Sequence, residues 1–101
     1  MDGYASGTDR VLVIGLDGAT WDLLTPLAEA GVLPNLATLI RRSALARLLS
    51  TSPFITPVAW TSFQTGNDVA EHGIFDYRYW DHRRGQLCLN DAGRIGTTTL
   101  F

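Results

Sequence analysis

Val11-Leu12-Val13-Ile14-Gly15-Leu16-Asp17-Gly18 is the stretch on which the fold turns. Six residues without a polar side chain, including the β-branched Val11, Val13 and Ile14, run into an Asp-Gly pair. β-Branched side chains favour extended backbone. A run that is apolar on both faces predicts a central strand of a parallel sheet, covered on both sides. Asp17 then stands at the carboxyl end of that strand, where ligands gather in open α/β sheets. Its carboxylate suits a hard or borderline cation such as Zn²⁺, Mg²⁺ or Mn²⁺. A plain Asp-Gly turn that ends a strand accounts for the same residues.

Working outward, residues 1–9 (MDGYASGTD) read as a mobile leader. Residues 20–43 read as helix in two pieces. Thr25-Pro26 has the form of an N-cap followed by proline at the first helical position, with Gly31 as the stop. Pro34 opens the second piece, where Leu36, Leu39 and Ile40 fall at i, i+3, i+4 and Arg41 and Arg42 sit near the negative end of the dipole. Residues 44–50 (ALARLLS) are expected to form a second strand. Thr56-Pro57 repeats the cap-then-proline signature, Ala59, Trp60, Phe63 and Gln64 continue the helix, and Gly66 stops it. Residues 67–86 read as loop, and Gln86 to Leu89 as a short strand. The order strand, helix, strand, helix predicts an α/β unit.

Length and composition bound the rest. The 101 residues allow one domain at most. With 46% hydrophobic and 18% charged residues the chain is globular in composition. Its eight basic residues are all arginine and face ten acidic ones, a formal charge of −2. That balance argues against a nucleic-acid partner, whose binding would rest on neutralising phosphates. Cys88 is the single cysteine, so no intrachain disulfide or cysteine-rich zinc site forms. The apolar run at Val11–Leu16 is too short to span a bilayer. Met1 to Thr8 shows no signal peptide, which sets a cytoplasmic expectation.

Thr56 is the second chemical candidate. A hydroxyl at a helix N-cap lies where unpaired N–H groups and the positive dipole end converge, a place that also binds phosphate. A threonine nucleophile needs a metal to favour its alkoxide, and Asp17 is placed to hold one. A simple capping role explains the residue equally. Thr61, Ser62 and Thr65 are expected to satisfy backbone or solvent. His72 reads as a structural histidine in a turn, Asp81-His82 as part of an exposed turn, and Tyr77-Arg78-Tyr79-Trp80 as packing aromatics.

Val11 to Asp22 resembles the opening strand of the type I phosphodiesterase/nucleotide pyrophosphatase family, within the alkaline phosphatase superfamily. Thr56-Pro57-Val58-Ala59-Trp60-Thr61-Ser62-Phe63-Gln64-Thr65-Gly66, followed by Glu71-His72-Gly73-Ile74-Phe75-Asp76, resembles its nucleophile helix and the turn after it. The resemblance runs from about Arg10 to Trp80 and continues more weakly to the end. It implies an α/β sandwich with a mostly parallel sheet and flanking helices, of which residues 10–101 would form an N-terminal part. It also implies a two-metal site, usually zinc, and cleavage of phosphodiesters, phosphomonoesters or pyrophosphates through a phosphothreonine. Asp17 would be a metal ligand, and Thr56 both nucleophile and metal contact.

Two departures bear on activity. Family nucleotide pyrophosphatases carry an Asn where this chain has Tyr77, and their remaining metal ligands come much later in the chain. Asp81-His82 has the residue types of a late ligand pair but comes too early to take that role. The expectation is therefore a partial, C-terminally truncated domain, inactive alone, that awaits a phosphoester substrate when completed. The alternative is a non-catalytic remnant or interaction module, self-associating through an exposed sheet edge.

Overall fold

Thr20 begins the first helix, because its hydroxyl accepts the backbone N–H of Asp22 (3.4 Å). The structure, a computed structural model, describes residues 10–100, so the leader expected at residues 1–9 and the final Phe101 lie outside it. The chain divides into two compact units, Met1–Ala44 and Leu45–Phe101.

In the first unit, residues 10–16 run without regular structure into a turn at Asp17-Gly18. Ala19 N–H donates to the Leu16 carbonyl (3.4 Å). Gly18 closes the turn at φ +69°, a left-handed conformation that glycine adopts without a Cβ penalty. Helix α1 (Trp21–Glu29) follows. Its half-buried residues are Trp21, Leu24, Leu27 and Ala28, one stripe at helical spacing. The start expected at Thr25-Pro26 is thus corrected. The Thr20 start adds a turn that brings Trp21 and Leu24 into the stripe, and Pro26 is accepted inside the helix. The stop at Gly31 is as expected. Gly31 N–H bonds to Ala28 O (3.2 Å) and Val32 N–H to Leu27 O (3.0 Å), the paired closure of a Schellman motif. Helix α2 (Pro34–Arg42) has proline in its first turn and Arg41 and Arg42 in its last, as read from the sequence.

In the second unit, residues 45–50 have no regular structure and are exposed. Helix α3 (Thr56–Thr65) ends at Gly66, whose N–H bonds to Ser62 O at φ +68°. Val58 and Thr61 are its buried residues. Helix α4 (Val69–His72) is a single turn that exists because both its ends are capped. Asp68 Oδ1 accepts from Ala70 N–H (2.8 Å) and Glu71 N–H (3.3 Å), while Glu71 Oε2 accepts from Asp68 N–H (3.2 Å). Gly73, at φ +77°, closes the other end. Strands β1 (Arg78–Asp81) and β2 (Gln86–Leu89) form an antiparallel hairpin, with Tyr79 opposite Cys88 and Trp80 opposite Leu87. A 3₁₀ turn at Ala92–Arg94 leads to a final segment stitched back by Gly96 N–H to His72 O (2.9 Å) and Leu100 N–H to Gln64 O (2.8 Å).

Three expectations change. The mostly parallel sheet is absent among the described residues, where the hairpin is the one ladder. Residues 11–16 and 44–50, the two expected strands, find no partner strand there, and apolar character supplies extended propensity without supplying a neighbour. Val11 is 84% exposed and Leu48 96%, so neither segment is covered. Residues 67–86 hold α4 and β1 besides loop, while β2 lies where the sequence predicts a strand.

Asp68→Ala removes the acceptor that two α4 amides share. Loss of this cap is expected to cost about 1 kcal/mol. It should appear as faster hydrogen exchange at Ala70 and Glu71, with α2 amides unchanged, and unchanged exchange at both would refute the capping role.

Candidate functional site

Thr56 occupies the first helical position of α3, one residue later than the N-cap position expected for it. Ile55 holds the extended N-cap geometry (φ −121°, ψ 151°), and its carbonyl accepts the first helical bond from Ala59 N–H (3.0 Å). Pro57 lacks an N–H, which costs nothing in a first turn whose amides have no intrahelical acceptor. The Thr56 side chain therefore rises from the first turn, at the positive end of a ten-residue helix, and is half-buried. Trp60 and Phe63, one turn apart on the same helix, meet edge-on with ring centroids 5.9 Å apart.

Asp17 is exposed in the turn after residues 10–16 and belongs to the first unit, whereas Thr56 belongs to the second. Among the described residues no three His, Cys, Asp or Glu gather into a metal-binding group. A closed zinc site takes about four ligands. One carboxylate and one hydroxyl are an incomplete donor set for such a site, and no catalytic step is assigned to a metal on these residues alone.

The second unit also contains a polar cluster that spacing did not announce. His72 is fully buried. Its Nδ1 accepts the backbone N–H of Ile74 (3.1 Å), and its Nε2 lies 2.9 Å from Ser62 Oγ. A neutral imidazole carries one proton. Because Nδ1 is occupied as an acceptor, that proton sits on Nε2 and is donated to Ser62. A half-buried serine and a buried histidine at hydrogen-bond distance have the outline of a nucleophile and its base. The direction of this bond rules that role out, since Nε2 has no lone pair left to take the hydroxyl proton. His72 is instead a two-ended tie, from the second turn of α3 to the backbone after α4. The structural role expected for it holds, while Ser62, expected to satisfy backbone or solvent, serves as the acceptor of the tie. The one prior signal was the glycine stop at Gly66, which lies between the two residues and ends α3 so that the chain can turn back.

Asp81, expected in an exposed turn, is the half-buried last residue of β1, and His82 opens the turn that follows. Asp81 Oδ1 accepts from Arg83 N–H (2.9 Å) and Arg84 N–H (3.2 Å), and Oδ2 lies 3.6 Å from Arg84 Nε. The carboxylate is committed to shaping the turn, and His82 is exposed. Tyr77, where the family pattern has Asn, is exposed, and its backbone bonds to Asp76 Oδ1 and Asn90 N–H.

The tautomer is directly measurable. Long-range ¹⁵N–¹H correlation on the neutral ring should show Nε2 protonated and Nδ1 bare, and the reverse pattern would overturn the assignment. His72→Ala leaves the Ile74 N–H without its acceptor and is expected to destabilise by about 1–3 kcal/mol from that loss alone, read from denaturant unfolding.

A model of the type I phosphodiesterase/nucleotide pyrophosphatase family matches residues 11–96. The match takes in Asp17, Thr56 and the His72 turn. No curated protein and no solved structure matches the chain. Since the family match covers most of the sequence, from the turn that carries Asp17 to the segment that stitches back onto α4, this chain belongs to the type I phosphodiesterase/nucleotide pyrophosphatase family, a family of phosphodiesterase- and pyrophosphatase-type hydrolases.

Proposed function

We propose that the chain supplies the nucleophile-bearing part of a metal-dependent phosphoester hydrolase, with Thr56 as nucleophile and Asp17 as a metal ligand. The observation that carries the reading is the family match across both residues, joined to the position of Thr56 at the start of α3. The positive end of a helix favours the negative charge of an incoming phosphoryl group. In the proposed reaction the Thr56 oxygen bonds to phosphorus in line with the departing oxygen. The P–O bond to the leaving group breaks, and the leaving group takes up a proton. Water then cleaves the phosphothreonine and restores the hydroxyl. A bound divalent cation, zinc by family precedent, supplies the charge that favours the attacking alkoxide.

Two oxygen donors do not make a closed site, so these residues are proposed to be inert alone. The proposal extends to the fold. The uncovered apolar segments 11–16 and 44–50 are suited to strands of a mostly parallel sheet whose neighbours are not among the described residues.

Purified chain with Zn²⁺ is expected to release no p-nitrophenol from bis-p-nitrophenyl phosphate or p-nitrophenyl phosphate beyond the Thr56→Ala variant. Turnover abolished by Thr56→Ala would overturn inertness and uphold the nucleophile. Turnover indifferent to the substitution would overturn the nucleophile. Independently of activity, Zn²⁺ added to ¹⁵N-labelled chain should shift Asp17 and Thr56 amides, an effect lost in Asp17→Asn. Shifts confined to Asp81 and His82 would defeat the ligand assignment.

A second reading rests on the same exposed apolar segments. Val11 to Ile14, with Leu48 and Leu49, form uncovered stretches of the kind that drive association. Self-association predicts a sedimentation coefficient that rises with protein concentration. A constant monomer value would remove this reading.

A further inference from the structure

Arg94 is held more firmly than an exposed arginine ordinarily is. Its guanidinium lies over the Tyr79 ring, 3.3 Å from Cζ to the ring centroid. Its Nε donates to Asn90 Oδ1 (3.0 Å). Asn90 is itself fixed, its Nδ2 donating to Asp76 O (2.7 Å) and its N–H to Tyr77 O (2.8 Å). Stacking sets the guanidinium plane and the Nε bond sets its rotation. The two terminal nitrogens have no acceptor among the described residues, which leaves a preset fork of donors.

The fork borders a cleft of about 400 Å³ lined by Tyr79, Trp80, Asp81, His82, Arg83 and Arg94. That volume is in the range of small-molecule sites rather than of a single ion. The guanidinium of Arg83 has no partner among the described residues either. Asp81 is the one acidic group on the wall. Its carboxylate is occupied by the Arg83 and Arg84 amides and faced by the Arg84 side chain at 3.6 Å. The cleft therefore offers two uncommitted positive charges, one of them preorganised, and one carboxylate whose charge is already opposed.

We propose that this cleft is a binding site for a small phosphorylated molecule, whose phosphate is gripped by the Arg94 fork and by Arg83. Two guanidinium groups match the charge of a phosphate monoester better than the single charge of a carboxylate, and the planar fork matches two of its oxygens. The site is built from the β1–β2 hairpin and the 3₁₀ turn, with no contribution from Thr56 or Asp17, and stands whether or not Thr56 is a nucleophile.

The test is a titration of ¹⁵N-labelled chain with inorganic phosphate, phenyl phosphate and, as the carboxylate control, acetate, at constant ionic strength. The Arg94 Nε–H and Trp80 indole N–H resonances are followed. Phosphate and phenyl phosphate should give saturating shifts, phenyl phosphate at the lower concentration, and acetate little. Arg94→Lys keeps the charge but loses the fork, and should weaken binding by about tenfold. Arg83→Gln removes a side chain that supports nothing else in the fold and should also weaken it. Thr56→Ala should bind as the parent does, which separates this site from the proposed hydrolytic one. Shifts that fail to saturate, an equal response to acetate, or Arg83→Gln and Arg94→Lys both binding as the parent would overturn the proposal.

Discussion

The imidazole of His72 is the point on which the second unit depends. Its two nitrogens and its own carbonyl reach three separate pieces of chain. Nε2 reaches Ser62 on α3, Nδ1 reaches Ile74 beyond α4, and the carbonyl takes the Gly96 N–H of the final segment. The apolar contribution here is small: Val58 and Ile74 are the buried hydrophobic residues among those described. A buried polar group is favourable only when all its bonding capacity is met, and this ring meets it with one partner per nitrogen. Gly96 belongs to the same arrangement. A Cβ at that position would come within 3.3 Å of the Glu71 carbonyl, so a side chain at residue 96 would press the final segment a few tenths of an ångström away from α4.

Local backbone chemistry was readable, and partner-dependent structure was not. Pro34 at the head of α2 and the glycine stops at Gly31 and Gly66 follow from properties that a few residues carry by themselves. The start of α1 misled because two cap-like signals compete five residues apart, and the stripe through Trp21 and Leu24 decides between them. Strand β1 and helix α4 were missed for a different reason. Each is short, and each exists through an external bond set, the ladder to β2 in one case and the Asp68–Glu71 box in the other. The parallel sheet is the extreme of that rule, since a strand buried on both sides is defined wholly by its neighbours.

The two chemical candidates were legible as a family pattern rather than as geometry. An Asp after an apolar run and a Thr before a proline are common, and their order and company in the chain give them meaning. By contrast, the Arg94–Tyr79 stack joins residues fifteen positions apart in two elements, with nothing in either neighbourhood to mark it. The hairpin brings residue 90 back beside residue 77, and only then does the 3₁₀ turn carry Arg94 over the ring.

The bond from Leu100 N–H to Gln64 O has a practical side. Gln64 lies eight residues along α3 from Thr56, which is about 12 Å along the helix axis. Anything joined to the chain beyond Leu100 therefore leaves from the flank of the helix that bears Thr56. An affinity tag or fluorescent fusion placed there starts its path beside that helix, and a protease that trims the last residues releases the Gln64 carbonyl to solvent.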